Sequence, residues 1–293
     1  MTTPRGTFKR MMLNLPPSAG DYGAVRTAAE LSELLGADLI ATFLEDPSLL
    51  ELSALQCARE LRTVERGWRP LDEAQLAHDF RRAAATARRL FAETVRSCSI
   101  EASFEVVRGS AMDVATAAQS DDIVVLIEPK DHVERITQHV TSFAESAFKA
   151  ASAVMVIPSR VSRKRGPVVS LATMSDDPSI AAGMTIARAM NERLVVLNTA
   201  GRAVSMRDLD EAVQASRGWH KDLVLEAPIQ ASMLFAALAG LNERLLVVPR
   251  GSLDWRAAQM MASLRSIPVL VTETQGASAE VDQQYANIGS AAH

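Results

Sequence analysis

The chain of 293 residues is 48% apolar and 23% charged, with 35 acidic against 31 basic residues and a net charge of -4. That is the balance of an ordinary globular protein; it argues against the clustered basic face of a nucleic-acid binder, and no run approaches the roughly 20 apolar residues that span a bilayer. Two cysteines, Cys57 and Cys98, are too few for a disulfide framework or a zinc cage, and with a polar segment at 1–10 in place of a secretory signal they point to a cytoplasmic protein with reduced thiols.

Met11-Met12-Leu13-Asn14-Leu15 reads as a first strand, broken by Pro16-Pro17. A helix follows from near Tyr22, with Ala24, Ala28, Leu31 and Leu35 on one face, and Gly36 ends it before a strand at 39–43. Strand, helix and strand in this span make a right-handed βαβ unit, and such units build parallel sheets. The pattern returns at a strand over 168–171, a helix opened by Asp177-Pro178 with Ile180, Met184, Ala187 and Asn191 on one face, and a strand over 194–197. Leu13 maps to Val169 and Leu39 to Val195 at one offset of 156 without a gap. This is an internal repeat of domain size.

The halves differ in the middle. The first carries an insertion at 44–68 and a long helix over 71–97, whose apolar residues are Leu76, Phe80, Ala83, Ala87, Leu90, Ala92 and Val95. Arg81, Arg82, Arg88 and Arg89, interleaved with acidic residues, form its solvated face. The second half has only a short helix at 206–216. Third strands are expected at 102–107 and 222–225, followed by Ala-rich helices at 112–119 and 229–241. Two further apolar runs, at 123–127 and 245–248, each lead through a loop and a helix to a closing strand, at 153–157 and 267–271. Such unbroken runs suit parallel strands covered on both faces. The polar, basic, Gly-ended stretch 161–166 is the linker between a domain at 1–160 and a shorter one at 161–275, and 276–293 is a flexible tail. Met11-Met12 and Met260-Met261 read as core filling.

The run Ser142-Phe143-Ala144-Glu145-Ser146-Ala147-Phe148-Lys149-Ala150-Ala151-Ser152-Ala153-Val154-Met155-Val156-Ile157 resembles the final helix and strand of universal stress proteins. In that family a Gly-Ser opens the helix and a Pro-Val-Leu-Val-Val run closes the sheet. Ile267-Pro268-Val269-Leu270-Val271 is similar to the same closing strand. The resemblance covers both repeats, about 9–158 and 166–273. It implies an α/β fold of two tandem open five-stranded parallel-sheet sandwiches of the adenine nucleotide alpha-hydrolase-like type. Family dimers close through their last strands, so it also implies an intramolecular pseudo-dimer, with the insertion left for a homodimer contact or a protein partner.

Nucleotide-binding members of that family carry Gly-x-x-Gly, nine residues and then Gly-Ser/Thr after the fourth strand, where bare glycines let amides reach phosphates. They also carry an Asp at the end of the first strand. Here Pro129-Lys130-Asp131-His132 and Thr141-Ser142 stand at those loop positions, the second half keeps the single Gly251, and Pro16 and Ala172 or Thr173 take the Asp position. No cofactor is therefore expected, ATP and AMP being disfavoured in both halves. The ligand-binding candidates are Lys130, His132 and Ser142, beside the carboxyl end of the fourth strand where open α/β sheets place ligands, and their counterparts Arg250, Gly251 and Ser252. Glu128 and Asp131 weaken an anion site there, and a plain turn competes with one at Arg250-Gly251-Ser252.

His78, His132, His139, His220 and His293 show no metal spacing, and no nucleophile elbow, Walker loop or dinucleotide fingerprint is present. No catalytic residue is expected. The expected function is a non-catalytic, stress-related interaction or regulatory module. The alternative is a nucleotide or small-anion sensor with a divergent phosphate loop.

Overall fold

Residues 8–15, 22–45, 47–62, 67–129, 138–174, 177–199, 219–222 and 231–273 are described by a computed structural model. In the first half, β1 (Arg10–Leu15), β2 (Asp38–Glu45), β5 (Ala102–Arg108), β6 (Asp122–Ile127) and β7 (Ala153–Ile157) lie in the order β5-β2-β1-β6-β7, all parallel. In the second half, β8 (Val168–Ala172), β9 (Leu194–Asn198), β10 (Trp219–Asp222), β11 (Leu245–Pro249) and β12 (Val269–Thr272) lie in the order β10-β9-β8-β11-β12, again all parallel. Each half thus runs third, second, first, fourth, fifth across its own strands. The halves do not stay separate sheets: β7 and β12 pair antiparallel, Val156 opposite Val269 and Ala153 opposite Thr272, and make one sheet of ten strands. This contact covers what would otherwise be two exposed edges of unpaired backbone.

Helices cover both faces. On one lie α1 (Tyr22–Leu35), α3 (Glu73–Val95) and α6 (Pro178–Ala189). On the other lie α4 (Ala111–Thr116), α5 (Gln138–Ala150), α7 (Ala231–Ala237) and α8 (Trp255–Arg265). The α1 face is a single core running under both halves, from Leu13 and Phe43 to Ile186 and Leu194. The expected stripe Ala24, Ala28, Leu31 and Leu35 is buried as its spacing requires. In α3 the buried line is Ala84, Ala87, Phe91 and Thr94, and Ala92 is exposed, so the helix is rotated from the expected apolar set. Asp72 caps it, accepting from the Gln75 amide at 2.8 Å. Arg81, Arg82, Arg88 and Arg89 are exposed, and Arg88 lies 5.1 Å over the Phe104 ring.

The alternation of faces corrects the ungapped repeat. Leu13 and Leu39 point into the α1 core, whereas Val169 and Val195 point into the opposite one. An offset of 156 therefore pairs residues on different faces, since side chains alternate along a strand with period two. The connections differ as well: β1 pairs Met11 with Leu39 whereas β8 pairs Val169 with Val195, so the first half carries two more residues between its strands. Core filling by the methionine pairs also needs correcting: Met11 and Met261 are buried, but Met260 is exposed on α8.

The insertion is ordered where described. It forms α2 (Pro47–Ser53) and a hairpin of β3 (Arg59–Arg62) with β4 (Gly67–Pro70), which is not part of the main sheet. The second half's third strand sits at Trp219–Asp222, a few residues before the expected 222–225. The helix expected at 206–216 and the tail at 276–293 lie outside the described residues.

Candidate functional site

The strand order reverses between β1 and β6 in one half and between β8 and β11 in the other. Open α/β sheets bind ligands beyond the carboxyl ends of strands at such a switch point. Beyond β1 and β6 lies a cavity of about 40 Å³, lined by Asn14 on β1, Ile127 and Glu128 at the end of β6, and Phe143 on α5. Trp255 and Gln259 complete it from α8, in the other half of the chain. That space holds a few waters and is far short of the roughly 300–1,000 Å³ of a small-molecule pocket.

Glu128 is buried. Its carboxylate accepts from the Ser263 hydroxyl on α8 and from the Ser159 amide at 3.3 Å. A buried negative charge here, with an apolar wall beside it, opposes a phosphate. Asn14 Oδ1 is buried and has no hydrogen-bond partner among the described residues. Ser142 is exposed on the first turns of α5, and Lys130 and His132 lie outside the described residues.

At the other switch point the polar groups are turned inward. Asp177 caps α6, one oxygen accepting from the amide and hydroxyl of Thr173 at 2.8 and 2.9 Å, the other from the Ser179 amide at 3.0 Å. These bonds tie Thr173, just after β8, to the start of α6. Gly251 takes φ +87, a turn that disfavours a side chain. Its neighbours' amides are already used: Arg250 N donates to Thr272 O at 2.8 Å and Ser252 N to Pro249 O at 3.2 Å. The Arg250 guanidinium reaches across the junction and donates to the carbonyls of Phe148 and Ala151, at the carboxyl end of α5. It also lies 3.1 Å from Glu273, and burial pulls its pKa below the ordinary arginine value. A cation on the last carbonyls of a helix is well placed against the helix dipole. Arg250 thus binds the second half to the first.

Of the residues expected at these loops, Ser142, Arg250, Gly251 and Ser252 lie at the ends of the strands beside Glu128 and Asp177, which are engaged by the chain's own groups. Ser263, Trp255 and Gln259 give no sign of this place in the sequence because all three arrive from the other repeat. The available signal was a carboxylate directly after an apolar run, at Glu128-Pro129. Among the described residues no group of three His, Cys, Asp or Glu side chains is placed to hold a metal ion, and no helix is long and apolar enough to cross a membrane.

No family model matches the chain, and no curated protein matches it by sequence. Among solved structures it is similar to a universal stress protein from Archaeoglobus fulgidus, with a TM-score of 0.61 at 10% identity over 92% of this chain and 98% of that one. A universal stress protein from Pseudomonas aeruginosa, described as putative, gives 0.48 at 13% identity over 95% of this chain and 98% of that one. A universal stress protein in complex with cAMP gives 0.28 at 12% identity over 52% of this chain and 98% of that one. The first of these shows a shared fold: the α/β architecture is that of the universal stress proteins. The other two are too distant in shape to carry an argument.

Proposed function

We propose that the chain is a non-catalytic, cytoplasmic protein of the tandem universal stress type, acting as a stress-related interaction or regulatory module that holds no ATP or AMP at either switch point. The observation that carries this reading is where apolar surface and polar groups have gone. At the first switch point Glu128 is engaged by Ser263 across the β7–β12 junction; at the second Asp177 is engaged within its own half and Arg250 reaches across the junction. The insertion, by contrast, presents Leu52, Leu55, Leu61 and Trp68 to solvent, the last two as cross-strand neighbours 53% and 65% exposed. Exposed apolar side chains gathered on α2, the turn after it and a hairpin outside the main sheet are the kind of surface that binds protein. A second copy of the chain is the simplest occupant.

Light scattering on the full chain tests this. The chain should exceed monomer mass at micromolar concentration, and Leu61→Ser with Trp68→Ser should return it to monomer without lowering its melting temperature. A monomeric wild-type chain whose melting temperature rises with ATP, the rise vanishing in Lys130→Ala, would overturn the proposal. That result would support the second reading, a nucleotide or small-anion sensor built on Lys130, His132 and Ser142. The unpartnered Asn14 Oδ1 facing the small cavity is the observation in its favour.

A further inference from the structure

A second cavity lies on the opposite side of the sheet, where the linker after β7 passes between α1 and the second half. Its volume is about 400 Å³, ten times that of the cavity at the switch point. Besides Arg163, four cationic side chains line it among the described residues: Arg26 from α1, Arg160 and Lys164 from the linker, and Arg244 from the residue before β11. Among the described residues Glu30 is the single carboxylate in the wall. Among the described residues none of the four cations makes an ion pair. Arg163 also lines the space, but its guanidinium is held by buried Glu243, 3.4 Å from Oε1 and 3.3 Å from the backbone oxygen.

The linker conformation that forms this wall is fixed by packing. Gly166 takes φ +133, and a Cβ there would lie 2.0 Å from the carbonyl oxygen of Asn242. The Arg244 amide donates to Pro167 O at 2.9 Å, and the Ser162 amide to Ser266 O at 3.0 Å. The cations are therefore carried on backbone tied to the second half rather than on a loose tether. Between them the floor is apolar, made by Leu31, Val161 and Met190.

In a chain of net charge -4, four like charges gathered around one concavity repel each other and concentrate positive potential in it. The first turn of α1, which supplies Gly23 to the wall, adds the positive end of its dipole. Guanidinium forks match the paired oxygens of a phosphate, and an apolar floor suits the organic group that a phosphate ester carries. We infer that this junction cavity is a binding site for a small, free phosphorylated molecule. The ligand would contact both halves and the linker at once, so binding would stabilise their mutual arrangement. Among the described residues no exposed large apolar side chain lines the cavity to enter a bilayer, which favours a free ligand over a lipid headgroup.

Isothermal titration of the full chain at low salt, with inorganic pyrophosphate and with phenyl phosphate, tests the site. Both should bind, phenyl phosphate gaining from the floor, and Arg160→Ala with Arg244→Ala should weaken both by roughly tenfold or more, as expected for losing two charge-assisted contacts. Arg82→Ala with Arg89→Ala removes the same charge from α3 and should change nothing. If the Arg244 variant fails to fold, Arg26→Glu, at an exposed position, should abolish binding instead. Lys130→Ala should leave these affinities intact, which separates this site from the switch point. Absence of heat with the wild-type chain, an equal loss in the α3 control, or binding only to phosphatidylglycerol vesicles would each overturn the inference.

Discussion

Substitution of Arg250 distinguishes a ligand-binding arginine from one that joins the halves. Its guanidinium donates to two carbonyls at the end of α5 and faces Glu273 at 3.1 Å. Alanine would strand both carbonyls and leave the carboxylate without its cation at a half-buried junction. Hydrogen bonds involving a charged group contribute about 1.5–3 kcal/mol each and do not simply add, so Arg250→Ala should cost roughly 2–4 kcal/mol. For a chain of 293 residues, with an unfolding entropy of about 2.1 cal/mol/K per residue, that corresponds to a fall in Tm of roughly 3–7 °C. Arg250→Lys is the sharper variant. Lysine keeps the charge but has no planar fork, so it cannot serve both carbonyls together. Urea unfolding followed by circular dichroism, with midpoints compared at constant slope, reads the difference. The lysine variant should recover less than half of the loss. A lysine variant within about 0.5 kcal/mol of wild type, the range of ordinary surface substitutions, would refute the joining role.

Two further outcomes follow from the packing. Gly166→Ala must move either the linker or the Asn242 carbonyl, which its Cβ would meet at 2.0 Å, in a backbone region that costs a side chain about 1–3 kcal/mol by itself; the variant should lose at least that much in urea, whereas Gly36→Ala, with nothing within 4 Å of its Cβ, should lose less. Burial, and after it the charge of Glu33, pushes the Cys98 thiol above its ordinary pKa, so less thiolate is present at any pH below that raised value; iodoacetamide at pH 8 should label exposed Cys57 first, and equal rates would contradict the burial.

How much of this was legible in the chain depends on where each residue's partners lie. The βαβ units, the buried stripe of α1 and the closing strands follow from local periodicity, and the structure has them. The register of the repeat was not legible. β8 and β9 are buried at every position, so their apolar runs fit an offset of 156 as well as any other, although that offset turns Leu13 and Val169 to opposite faces. A half-exposed strand such as β5, which alternates, would have fixed the faces, but its counterpart in the other half is only the short β10. The groups around the switch points were less legible: Arg250 directs its donors to residues about a hundred positions away, and Ser263 meets Glu128 from 135 positions away. Contacts across a junction between repeats leave no local spacing to read. The basic linker was likewise visible as composition, while the cavity it walls depends on α1 and Arg244 coming together.

Crystals of the full chain soaked in millimolar ATP give the most direct test. Density for the nucleotide should be absent beyond the carboxyl ends of β1 and β6 and of β8 and β11, with the Glu128–Ser263 and Arg250–Ala151 contacts intact. An adenosine phosphate seated at either place, with those contacts broken to admit it, would contradict the proposal that the chain's own contacts close both switch points.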